Sequence, residues 1–194
     1  MPRPVYFDTS LFLEMGKRNS KYKKRLPLLL KDLSERKIRI YTSVLTVQEV
    51  SVAAHRKGAI PRDTMADIKD LARIYTITKE IAMAAAKREA ELKDLSEEEQ
   101  GKRDPEKPLT EQQKIDQICE NRRRKWDCFH IATAQWLECS AIYCTDGPMQ
   151  KRAKQMNIKT LEIIEPPEGI RKIDGPLLKG VPDEPKKKRS RKKE

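Results

Sequence analysis

Apolar runs in this chain are short and regularly interrupted. Val5-Tyr6-Phe7, Ile38-Arg39-Ile40-Tyr41, Ile74-Tyr75-Thr76-Ile77, Ala141 to Cys144 and Lys159 to Ile164 each read as a strand rich in β-branched or aromatic side chains. Between them the spacing is helical. One helical pattern covers 11–33, broken by the basic run Lys21 to Arg25 and by Pro27. A second follows Thr42-Ser43, two good N-caps, and carries Val44, Leu45, Val47, Val50 and Ala54 until Gly58 closes it. Further helices are expected over 62–72, from Lys79, over 126–139 and over 149–156. Strands alternating with helices in such short units predict an α/β fold with a mainly parallel sheet of about four to five strands.

The stretch 89–125 breaks this rhythm: 20 of its 37 residues are charged, and apolar periodicity is lost. It reads as a helix end, a flexible connection over 100–109 and a polar helix from Thr110. The expected organisation is one domain over 1–165, with 89–125 as a charged insertion. A largely disordered Pro/Lys/Arg-rich tail over 166–194 completes the chain.

In parallel α/β sheets, functional groups collect in the crevice at the carboxyl ends of the strands. Asp8 directly follows the first strand, and Asp146 follows Ala141 to Cys144 after Thr145. Glu49 lies on the apolar helix after the second strand, and Asp127 is expected in the first turn of the helix leading into the fourth. Singly, each has a plainer reading: Asp8 as an N-cap, Asp127 as a complement to a helix dipole, Asp146-Gly147-Pro148 as a turn, Glu49 as a solvated residue. Together, two at strand ends and two on flanking helices, they form a set of hard oxygen ligands suited to Mg²⁺ or Mn²⁺. Such a site activates water against a phosphodiester. Asp8 and Asp127 are the expected direct metal ligands, with Glu49 and Asp146 completing the pocket. Thr9, Ser10 and Thr145 stand ready to donate supporting hydrogen bonds.

The net charge of +12 supplies a reason for a phosphodiester to be near. Half of the excess lies in the last ten residues, where Lys186, Lys187, Lys188, Arg189, Arg191, Lys192 and Lys193 face one acid, Glu194. This tail reads as a nucleic-acid arm, a nuclear localisation signal in a nucleated cell, or a solubilising end. Arg122, Arg123, Arg124 and Lys125, just before Trp126-Asp127, can grip phosphates at the mouth of the acidic site or form a solvated helix face.

Four local patterns resemble the PIN-domain nucleases, which include the VapC-type toxins of toxin–antitoxin pairs. They are Val5-Tyr6-Phe7-Asp8-Thr9-Ser10-Leu11, the segment Thr42 to Val50 with Glu49, the segment Trp126 to Ala134 with Asp127, and Ile142-Tyr143-Cys144-Thr145-Asp146. Their order suits the family over about residues 4–164. The interval from Glu49 to Asp127 is longer than the pattern, and Thr145 and Asp146 are adjacent where the family more often spaces them. The resemblance implies an α/β/α sandwich, a divalent-metal site and ribonuclease activity on single-stranded or structured RNA. An antitoxin-like protein partner and a homodimer are compatible with it. The competing class is a catalytically silent, PIN-like nucleic-acid-binding or scaffold protein.

Other chemistries find little support. No GxSxG, GxxxxGK or GxGxxG pattern occurs. The only histidines are His55 and His130; His130, one helical turn after Asp127, could approach the site, but a packing or surface role is the expectation for it. The cysteines, at 119, 128, 139 and 144, have no zinc-ribbon spacing and read as reduced thiols of a cytoplasmic protein. No segment has the plan of a signal peptide or a membrane span.

Overall fold

Adjacent residues along the central strand face opposite layers, and residues two apart face the same one. In β1 (Val5–Phe7), Val5 and Phe7 enter one apolar cluster and Tyr6 another. The same alternation recurs in β4 (Ala141–Tyr143), where Ala141 and Tyr143 face the first cluster and Ile142 the second. Strands buried on both faces need helices on both sides, and the chain supplies them. The structure, a computed structural model, describes residues 2–58, 61–100, 110–156, 158 and 161–168.

One layer is built from α1 (Thr9–Met15), α2 (Arg25–Glu35), α3 (Val44–Arg56) and α4 (Pro61–Leu71). Leu11, Phe12, Leu26, Leu29, Leu33, Val50 and Ile68 pack there against Val5 and Phe7. On the other face α6 (Glu111–Trp136) and α7 (Gly147–Gln155) bring Ile131, Ala134, Met149 and Ala153 against Tyr6 and Ile142. The outer helix α5 (Lys79–Gln100) packs Ile81, Ala85 and Leu92 on Cys128 and Ala132 of α6. With β2 (Ile40–Ser43), β3 (Arg73–Tyr75) and β5 (Glu162–Ile164), the strands form a five-stranded sheet in the order β3-β2-β1-β4-β5, parallel throughout. This is the expected α/β/α arrangement. The strand order reverses direction between β1 and β4, which makes the carboxyl ends of those two strands the crevice where ligands bind in such sheets.

Three sequence expectations need correction. The polar helix from Thr110 and the apolar helix over 126–139 are one helix, α6. A capping box starts it: Gln113 donates its backbone N–H to Thr110 Oγ1 (3.3 Å), and Thr110 its own to Gln113 Oε1 (2.9 Å). No proline or glycine interrupts the 26 residues that follow. The change from polar to apolar near Trp126 marks where the helix leaves solvent for the sheet, not where it begins. Second, β2 starts at Ile40 rather than Ile38, because Ile38 donates its N–H to Leu33 O (2.9 Å) in the turn closing α2, with Lys37 at φ 55°. Third, Thr42 lies inside β2, and Ser43, at the N-cap position of α3, makes no side-chain capping bond. Pro27 sits in the first turn of α2, where its missing N–H costs nothing. Of the expected flexible connection over 100–109, Gln100 ends α5, and residues 101–109, like the segment 169–194, lie outside the described residues. Among the described residues no helix is long and apolar enough to cross a membrane.

Candidate active site

Asp8 is buried at the junction of β1 and α1. Its backbone N–H donates to Tyr143 O of β4 (3.1 Å), and its Oδ2 accepts from Ser10 N (3.2 Å), so it does cap α1. That cap fixes the carboxylate at the end of the central strand. Ser10 Oγ accepts from Thr145 N (2.9 Å), which ties the loop after β4 to the loop after β1.

Behind these loops runs a row of threonines. Thr42 donates to Phe7 O (2.9 Å), the Thr42 and Thr46 hydroxyls are 2.8 Å apart, and Thr9 Oγ1 is 3.2 Å from Thr46 Oγ1. Thr9 also donates to Oε2 of Glu49. The row joins β1, β2 and α3, and brings Glu49 to the same crevice. Burial pushes the Glu49 carboxyl up, but hydrogen bonds from His130 and Thr9 and the charge of His130 outweigh it and leave it below the ordinary value.

Asp127 is not in a first helical turn. Sixteen residues of α6 precede it, so a helix-dipole role is excluded. It is buried, and its Oδ2 accepts from Arg152 Nε of α7 at 2.8 Å. Arg152 is itself buried; its Nη1 donates to Glu120 Oε1 (2.9 Å), and among the described residues its Nη2 has no hydrogen-bond partner. Burial carries the Asp127 carboxyl to about 7; Arg152 opposes the rise and the charge of Asp8 adds to it. Asp146, half-buried just before α7, is also pushed up, first by burial and then by Asp8, against the pull of Arg152 and Arg123. Asp8, Asp127 and Asp146 thus feel one another's charge at one end of the sheet.

His130 stands among them. Only 2% exposed, it places Nδ1 2.7 Å from Tyr6 Oη, and Nε2 3.3 Å from Glu49 Oε2 and 3.6 Å from Asp8 Oδ1. The expectation of a packing or surface role is therefore corrected: the ring is buried and bonds within the acidic group. Burial alone would lower its pKa, but Tyr6, the hydrogen bond to Glu49 and the charge of Asp8 raise it well above the ordinary value.

Arg122, Arg123 and Lys125 are exposed and Arg124 half-buried on the α6 turn before Asp127. Arg124 donates to Asn121 Oδ1 (2.9 Å), and Arg123 is close enough to lower the Asp146 pKa. The basic residues at 186–193 lie outside the described residues. Arg152 was not visible as a site residue in the sequence. Its signal is its spacing: Met149, Arg152 and Ala153 share the buried side of α7, and a charge at such a position needs a partner.

The donor set, all carboxylates, has the hard oxygen character that Mg²⁺ and Mn²⁺ prefer. Among the described residues, however, no three His, Cys, Asp or Glu side chains stand in a ligating arrangement. The set suits a divalent ion in kind, with Asp127 already engaged by Arg152.

A structural match is Mycobacterium tuberculosis VapC20, described as a sarcin–ricin loop cleaving toxin, at 16% identity. It covers 76% of this chain and 93% of that one, with a TM-score of 0.44. No curated protein matches the chain. The PIN domain family model matches residues 5–155, a span that takes in Asp8, Glu49, Asp127 and Asp146. The chain belongs to the PIN domain family.

Proposed function

We propose that this protein is a divalent-metal-dependent endoribonuclease. What supports the reading is the position of Asp8 and Asp146 just after the adjacent strands β1 and β4, together with the Asp127 carboxyl, which burial and the charges of Asp8 and Asp146 push upward. A group of acids that repel one another in a half-buried crevice is stabilised by a cation. Asp8 and Asp127 would hold the Mg²⁺ or Mn²⁺ ion, with Glu49 and Asp146 completing the pocket. When bound, such an ion supplies Lewis-acid activation of water and neutralises charge on the phosphodiester. The chain's own residues do the rest. Thr9 and His130 orient Glu49, Ser10 Oγ holds the Thr145 backbone, and Arg122, Arg123 and Lys125 offer exposed charge to the RNA backbone one helical turn from Asp127. The working boundaries are a nuclease domain over 1–165 and a basic arm over 166–194. An antitoxin-like protein partner fits the same reading.

One observation favours a second reading, a silent PIN fold that binds RNA without cutting it. Arg152 already pairs Asp127, and a guanidinium in place of an ion gives a stable but inactive pocket. Incubating mixed RNAs with the purified protein, with and without Mn²⁺ or Mg²⁺, separates the two. Metal-dependent cleavage lost in Asp8→Asn supports the nuclease. RNA binding with no cleavage under any metal supports the silent fold.

A further inference from the structure

We infer that His130, backed by Tyr6, is a positioning residue that decides which oxygen Glu49 presents to the acidic pocket. The inference rests on the nuclease reading for its kinetic consequences but not for its geometry. Thr9 Oγ1 and His130 Nε2 both bond Glu49 through one oxygen, Oε2. Among the described residues both hydrogen bonds to Glu49 fall on Oε2 and none on Oε1, and Glu49 is the partly exposed partner, with 29% of its side chain accessible against 2% for His130. A carboxylate only accepts, so Nε2 carries its proton toward Glu49 whether the ring is neutral or charged. The contact of 2.7 Å between Nδ1 and the Tyr6 hydroxyl holds the ring in either form: the charged ring donates from Nδ1 to Tyr6 Oη, and the neutral ring accepts there from the hydroxyl.

The ring has little freedom to turn. Tyr6 is fully buried in β1, and the two rings meet edge-on with centroids 5.8 Å apart. His130 also lies one helical turn after Asp127, so α6 sets the acid and the imidazole together. Outer partners of this kind, hydrogen-bonded to a ligand carboxylate from behind, are typically worth about 10–100-fold in metal affinity or activity.

Three variants test the inference: His130→Ala, His130→Gln and Tyr6→Phe. Glutamine can place an N–H where Nε2 stands, whereas alanine cannot. His130→Ala is expected to lose about 10–100-fold in kcat and in Mn²⁺ affinity measured by calorimetry, with KM for RNA within about twofold of wild type. His130→Gln should recover most of both losses. Tyr6→Phe, which keeps the core volume, should show a smaller loss in the same direction and serves if the alanine variant does not fold. Equal impairment in the alanine and glutamine variants, or wild-type kcat and Mn²⁺ affinity in folded His130→Ala, overturns the inference. A crystal structure of His130→Ala or Tyr6→Phe gives a readout independent of catalysis. Glu49 turned away from Thr9 supports positioning; Glu49 unmoved overturns it, whatever the protein does to RNA. Absence of RNA cleavage by the wild-type protein counts against the nuclease reading alone.

Discussion

In the metal-free protein, the stability of Asp127→Asn relative to the wild type should rise with pH, whatever offset the loss of the Arg152 pair adds at every pH. The carboxyl has a pKa of about 7 in the folded chain against an ordinary value of 3.8. The folded state therefore holds this proton more tightly than the unfolded state. Below pH 4 both states are protonated and the site costs nothing. Between about pH 4 and 7 the unfolded chain gives up the proton while the folded chain keeps it, so stability falls with rising pH. Above 7 the full cost is present. A gap of about three pH units corresponds to about 4 kcal/mol at 1.36 kcal/mol each. Asparagine has the shape of the protonated acid and no titration, so it escapes this loss. Urea unfolding of wild type and Asp127→Asn in EDTA, at several values from pH 4 to pH 8, reads the difference. The variant should gain on the wild type by about 4 kcal/mol across that range, chiefly below pH 7. Parallel stability curves would show that Asp127 ionises normally, and the account of the pocket would fail with it.

Arg152→Met should cost about 3–5 kcal/mol at pH 8, the usual result of stripping one partner from a buried ion pair, and distinctly less at pH 5 where Asp127 is protonated; a loss below 1 kcal/mol in urea titrations would refute the pairing. Cys119 is exposed, whereas Cys128, Cys139 and Cys144 are buried with burial pushing their thiols up, the first two to about 12. A maleimide at neutral pH should therefore label one thiol per native chain and four in denaturant, by mass spectrometry. Deleting residues 185–194 should flatten the plot of log RNA affinity against log salt by roughly 3–5, at about 0.7 per phosphate contact, equally for all sequences; an unchanged slope rules out the tail as an RNA arm.

The layered fold was legible because strand residues buried on both faces leave short apolar runs, and because the helices between them have clear starts. Asp8 and Asp146 could be placed at one sheet edge by the strand-end rule alone. Asp127 could be picked out as an acid in apolar surroundings, but its position within α6 could not. A composition change resembles a helix boundary, and only the packing shows that the helix continues through it. Arg152 and His130 were obscure for a related reason. A buried ionic or imidazole group depends on partners 25 and 81 residues away, Asp127 and Glu49, and single-chain periodicity carries no record of such meetings.

The central place of β1 sets an order of events during synthesis. Its first edge can close on β2 once Ile40 is available, but its other edge waits for β4, with Val5 pairing to Ala141 across most of the domain. Asp8 and Glu49 lie in the first third of the matched span; Asp127, His130, Asp146 and Arg152 all belong to its last third. Domains emerge amino terminus first, and long-range parallel pairings form slowly because the intervening loop must be closed first. A growing chain therefore carries Asp8 and Glu49 without the other acids of the pocket for most of the domain's synthesis. Whatever chemistry the crevice performs is withheld until translation of the domain is nearly finished, a safeguard written into strand order rather than into any added inhibitor.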